Sequence, residues 1–178
     1  INLSDEEFYR LADQNREIPK TSQPTPQQFK AFFQQIAKPD ELILSIHISS
    51  KLSGTFNSAV LAAKELAEQF KILTFDSGTG SAALGMMCRE ARILERTGAS
   101  LQAILDRLNF ISKSHSIILT LDTLDYALRS GRVKALQAAL ASILKVKPVA
   151  TLRDGALIMV DRVRTRQHAL NLILQMTA

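Results

Sequence analysis

The chain has 178 residues, 46% of them apolar and 22% charged, with a formal net charge of +5 at pH 7. That apolar share suffices for a core in one domain, or one domain and part of another, and it excludes wholesale disorder. A lone cysteine, Cys88, excludes an internal disulfide and points to a reducing compartment, and no apolar run is long enough to cross a bilayer. The opening INLSDEEFYR lacks the basic-then-apolar pattern of a signal peptide, so a cytoplasmic location is expected. Ile1 is not an initiator methionine, and the chain is expected to start inside a longer product.

In chain order, Leu3 to Glu17 reads as a helix with Ser4 as N-cap and Glu7 completing a capping box. Ile18 to Pro26 is a loop of prolines and hydroxyls, and a second helix starts at Thr25 or Pro26 and ends at Pro39. The run Leu42 to Ile48 is short, apolar and β-branched, as a buried parallel strand requires. Ser49, Ser50, Ser53, Gly54 and Thr55 crowd the turn after it, and a helix follows with Phe56, Val60, Ala63, Leu66 or Ala67, and Phe70 on one face. A second strand, Lys71 to Asp76, leads through Ser77 to Ser81 into a helix from about Ala82 to Arg96, closed by Gly98. Ser100 caps another helix, with Leu101, Ile104, Leu105, Leu108 and Ile111 inward, and the strand Ser116 to Leu121 follows. This alternation predicts a parallel, doubly wound α/β layer.

The character changes after Leu121. Asp122 to Leu128 reads as a short helix, then an Arg-Ser-Gly-Arg turn, then a helix from Val133 to Lys145. Pro148 to Arg153 and Ala156 to Val163 flank Asp154-Gly155, a strong hairpin signal, and Thr165 caps a last helix. No partner strand for the hairpin is expected before the chain stops at Ala178. Two units are therefore expected: an α/β domain over 1–113, and part of a second, α+β domain over 114–178.

The chemistry narrows next. His47, His115 and His168 lie far apart and lack metal-ligand spacing, so no metal site is expected. No nucleophile elbow, Walker A motif or dinucleotide fingerprint occurs, and no acid–base carboxylate pair stands out. What recurs is hydroxyls in three loops: Thr21 and Ser22, Ser49 to Thr55, and Ser77 to Ser81. Such groups cap helices and make turns, but at the carboxyl ends of parallel strands they also hold anions with helix N–H groups and the helix dipole. Between Arg129 and Arg166 basic residues far outnumber the acids Asp154 and Asp161, which marks either a solvated face or one that meets an anionic partner.

At this point a resemblance becomes specific. Thr21-Ser22-Gln23-Pro24-Thr25-Pro26, the run Ser49 to Ala59 (SSKLSGTFNSA), and Asp76-Ser77 with Ser81 and Gly85 resemble signature motifs of the DegV family. So do Leu121-Asp122-Thr123-Leu124, Gly131-Arg132-Val133 and Val163-Arg164-Thr165, in order along nearly the whole chain. The resemblance implies an EDD-like fold and a non-catalytic, cytoplasmic subunit of fatty acid kinase serving phospholipid metabolism. Its ligand would be a long-chain, palmitate-like fatty acid, with no other cofactor, and a separate kinase subunit would phosphorylate the bound carboxyl group. Carried over, it implies that the domain over 1–113 binds the lipid head group, with Thr21 and Ser53 hydrogen-bonding the carboxylate. Ser22, Gly54, Thr55, Ser81, Arg132, Arg162 and Arg164 would contact the head group or the kinase. Leu52, Phe56, Ile117 and Leu119 would line the acyl slot between the domains. Ser130 stands where the family usually has the first of two glycines. The family's first strand would precede Ile1, and its head-group histidine, which His168 does not match, would lie beyond Ala178.

Two other readings compete. One is an enzyme acting on a phosphorylated small molecule at the same helix N-termini, using the basic half. The other is a nucleic-acid-associated protein, which the charge suggests and the 6% aromatic content opposes. Neither nucleic acid nor stable membrane insertion is expected.

Overall fold

The computed structural model describes residues 3–15, 21–122 and 146–177. Their elements are α1 (Asp5–Asn15), α2 (Pro26–Ile36), β1 (Leu42–His47), α3 (Thr55–Glu65), β2 (Lys71–Asp76), α4 (Ser81–Arg96) and α5 (Leu101–Ser114), then β3 (Ile118–Thr120), β4 (Lys147–Arg153), β5 (Ala156–Val163) and α6 (Arg166–Thr177). The helices expected over 122–128 and 133–145, and the turn between them with Arg132, lie outside the described residues.

β1 and β2 pair in parallel, Leu42 opposite Lys71 through His47 opposite Asp76. Their side chains alternate between two cores, as the pleat demands. On one face Ile43 and Ile72 pack with Phe29 and Phe33 of α2 and with Ala59 and Ala62 of α3. On the other, Leu44, Ile46 and Phe75 pack against Met87 and Ala91 of α4 and Ile104 and Leu108 of α5. Helices on both faces of a parallel pair make this a doubly wound α/β layer as the alternation predicts, but the third strand of that alternation, expected over 116–121, is β3 and joins the other sheet, where it pairs antiparallel.

Three details depart from the sequence reading. Of the expected inner face beside α3, Leu66 is fully buried and Phe70 packs against the same core, but Phe56, Val60 and Ala63 are only half-buried, and the helix turns Ser58, Ala59 and Ala62 inward instead. Small residues there let the helix approach α2 and the sheet closely. Leu101 is 38% exposed because it opens its helix at the layer's rim, while Leu108 is fully buried. The hairpin does have a partner strand, but an earlier one. β3 pairs antiparallel with β4, giving a sheet in the order β3-β4-β5.

At the hairpin turn Asp154 (φ 49) and Gly155 (φ 78) are both left-handed, the conformation that a two-residue primed turn needs. An irregularity between Val149 and Ala150 bends β4, and α6 packs on all three strands of this sheet. Asp122, just past β3, binds Lys147 Nζ at 3.3 Å and Arg166 Nη1 at 3.0 Å, tying together the starts of β4 and α6. Lys147, then Arg166, holds its carboxyl below the ordinary aspartate range. Two cations of the basic stretch are thus engaged internally.

Candidate functional site

Helix N-termini distinguish one end of the molecule from the rest. A helix leaves its first N–H groups without backbone partners, and a side-chain oxygen usually satisfies one of them. Ser4 accepts from Glu7 N, Thr25 from Gln28 N, Ser100 from Ala103 N and Thr165 from His168 N, so α1, α2, α5 and α6 are all served this way. The two helices that follow the parallel strands are built differently. Glycines, Gly54 and Gly80, stand at the N-caps of α3 and α4, and neither cap makes a side-chain hydrogen bond. Both N-termini point their dipoles to the carboxyl edge of the sheet, where α/β layers receive anions.

At α3 the turn is fixed from beneath. Ser49 O accepts from Leu52 N (2.9 Å) and Ser53 N (3.1 Å), and Ser49 N donates to Thr79 O (2.8 Å). The Asp76 carboxylate accepts from Ser50 N at 3.2 Å and from Gly78 N at 3.0 Å, so one side chain at the end of β2 holds both turns. Ser53 Oγ and Thr55 Oγ1 lie 2.8 Å apart, and Thr55 N donates to Ser53 Oγ at 3.3 Å. Two hydroxyls hold two protons and share one between them, which leaves the other free to donate to an anion.

Thr21 and Ser22 are exposed in the loop before α2. Gln23 brings that loop to the α3 turn, for a Cβ placed on Gly54 would stand 2.8 Å from Gln23 Nε2. Below lies His47, 8% exposed, with Nε2 2.8 Å from Ser45 Oγ and its ring edge-on to Phe29 and Phe56. Burial lowers its pKa, against the opposing pull of Asp76.

Ser81 opens α4 in a left-handed conformation (φ 53), uncommon for a non-glycine residue, and is exposed. Behind it Thr79 is fully buried, and among the described residues its Oγ1 has no partner. Leu52, Phe56, Ile117 and Leu119 are all half-buried. Arg162 and Arg164 are exposed at the far end of β5, Arg162 N bonding Asp161 Oδ1 at 2.7 Å. From the hairpin tip, six residues of strand put Arg162 on the order of 20 Å away. Arg132 lies outside the described residues.

Gln23, Ser49 and Asp76 stand inside the motifs quoted above, and Ser49 among the loop hydroxyls, but none of them had an individual role assigned from the sequence. For Asp76 the local signal was Asp followed two residues on by Gly78, an Asx-turn pattern. Among the described residues no three His, Cys, Asp or Glu side chains gather to hold a metal, and no helix is long and apolar enough to cross a membrane.

Fold and site define a two-sheet α/β protein in which polar helix N-termini with glycine N-caps gather at the carboxyl edge of the parallel layer. The family model described as "Uncharacterised protein, DegV family" matches residues 1–178. A DegV domain-containing protein of Halalkalibacterium halodurans is 34% identical over 170 residues, covering 95% of this chain and 60% of that protein. A solved structure concerned with fatty acid binding of a DegV family protein from Thermus thermophilus superposes with a TM-score of 0.88 at 32% identity, covering 99% of this chain and 62% of the other. DegV of Bacillus subtilis, described as a fatty acid binding protein, superposes at 0.85 with 30% identity, over 97% and 61%. The chain belongs to the DegV family. It spans about 60% of the length of these relatives.

Proposed function

We propose that the protein binds a long-chain fatty acid, holds its carboxylate with the hydroxyls of Thr21 and Ser53, and presents it to a separate kinase. The observation that carries this reading is the N-terminus of α3: its N-cap is a glycine that makes no side-chain hydrogen bond, and the Ser53–Thr55 hydroxyl pair, whose Ser53 Oγ already accepts from Thr55 N, has one proton to spare. Gln23 seats the Thr21 loop beside it. A monocarboxylate needs only hydrogen bonds and a helix dipole, which is what this edge offers. The acyl chain would run between the sheets along Leu52, Phe56, Ile117 and Leu119, an apolar lining suited to an aliphatic tail. Two related solved proteins described as fatty-acid binders support the ligand class.

The kinase would transfer the γ-phosphoryl group of ATP to a carboxylate oxygen, giving acyl phosphate and ADP, while this chain positions the acceptor without taking part in the chemistry. The distance along β5 favours Arg162 and Arg164 as partner-facing rather than head-group residues. Ser22, Gly54, Thr55 and Ser81 remain beside the head group. A phosphorylated substrate fits less well. Asp76 already fills the acceptor position at the Ser50 and Gly78 amides, and a doubly charged phosphate would meet that carboxylate. Native mass spectrometry of protein purified from a bacterial host tests the reading. A bound mass of a long-chain fatty acid is expected; protein that carries no lipid and takes up no palmitate on titration sinks it.

A further inference from the structure

Ser49 belongs to the turn between β1 and α3, yet its side chain reaches the other sheet. It is 1% exposed, and its Oγ donates to Gly155 O at 2.7 Å in a buried hydrogen bond. The same Oγ accepts from Lys51 N at 3.2 Å, and the Ser49 carbonyl holds the Ser53 amide. Gly155 fits closely on its side. A Cβ placed there would stand 2.5 Å from Ser49 Oγ and 3.5 Å from Gly78 Cα, and its φ of 78 already favours glycine. One buried residue thus holds both the turn that presents Ser53 and the tip of the β4–β5 hairpin.

We infer that Ser49 is a positioning residue, a latch that docks the hairpin tip on the carboxyl edge of the parallel layer and so sets how the two sheets close over the acyl chain. This inference rests on the fatty-acid reading above. Losing the latch leaves Gly155 O buried without its donor and frees the second sheet to move relative to Ser53. Lipid then meets a clamp and a slot that no longer share one geometry.

The test is a cycle of wild type, Ser49→Ala, Gly155→Ala and the double variant, each checked for its fold by circular dichroism, with Ser49→Cys as the fallback for a variant that does not fold. Ser49→Ala is expected to speed amide exchange at residues 153–157 and to raise the palmitate Kd roughly tenfold, about the worth of one buried hydrogen bond. Gly155→Ala should raise Kd less in the Ser49→Ala background than alone, because the atom that it collides with is gone. The backbone strain at Gly155 is the same in both backgrounds and cancels. Two independent structural roles would give additive effects, and additivity, or unchanged exchange at the hairpin tip, overturns the latch. Wild type that binds no palmitate overturns the fatty-acid reading instead, and the exchange data then decide the latch alone.

Discussion

Single hydroxyls decide whether the carboxyl edge is a set of caps or a binding site. Thr21 is exposed, and among the described residues Ser53 bonds within its own turn, so removing their oxygens withdraws little from the folded core. A hydrogen bond to a charged carboxylate is worth about 1.5–3 kcal/mol. Thr21→Ala with Ser53→Ala is therefore expected to weaken palmitate binding at least about a hundredfold, with the thermal midpoint of the lipid-free protein nearly unchanged. An unchanged Kd by calorimetric titration would sink the clamp. His47, beneath it, makes a different prediction. Burial holds its pKa below the ordinary value of 6.5, so the unfolded chain binds the proton more readily than the folded one. Stability should then fall as pH drops below about 6.5 and level off under the folded pKa, Asp76 on the neighbouring strand reducing the effect. His47→Gln, followed by urea unfolding across that range, should flatten the slope.

At the scale of elements, the local chemistry was legible in the sequence and the contacts between distant segments were not. Gly54 shows both. It sits at φ −70 and ψ 0, where alanine is at ease, and Gly→Ala at such a position stabilises by about 0.4–1 kcal/mol through the unfolded chain. The added Cβ would push away only the flexible end of Gln23. Gly54→Ala should leave stability equal or slightly raised while weakening fatty-acid affinity, because the Thr21 loop loses its seat. Equal affinity in a titration would show that Gln23 does not matter. The strands, the Ser100 and Thr165 caps and the Asp154-Gly155 turn were readable because each follows from residues within one turn or one pleat of one another. On the inner face beside α3 Leu66 and Phe70 were read correctly, but Phe56, Val60 and Ala63 were placed ahead of Ala59 and Ala62, since periodicity ranks large residues above alanines that only close packing makes buried. The pairing of β3 with β4 and the Ser49–Gly155 bond, across 106 positions, have no local signature at all.

For the whole molecule, the question is whether two sheets with separate helices behave as one body. α2, α3, α4 and α5 cover the parallel pair, and α6 covers the antiparallel sheet, so each has its own packing. Among the described residues, what joins them beside the site is narrow: the Ser49–Gly155 bond and the approach of Gly155 to Gly78. A ligand with its head at Ser53 and its tail along Leu52, Phe56, Ile117 and Leu119 would touch both sheets and add to that joint. Mass action sets the size of the effect, about 2.7 kcal/mol when free ligand is a hundredfold above Kd. Palmitate at that excess should raise the thermal midpoint and merge any separate melting of the two sheets into one transition, seen as agreement between calorimetric and van't Hoff enthalpies. The Thr21→Ala, Ser53→Ala protein at the same palmitate concentration should keep at most about 0.4 kcal/mol of that stabilisation, a small part of the wild-type shift. If lipid instead raised only a first or a second of two resolved transitions, it would be held by one sheet, and the slot between them would be the wrong place for the chain.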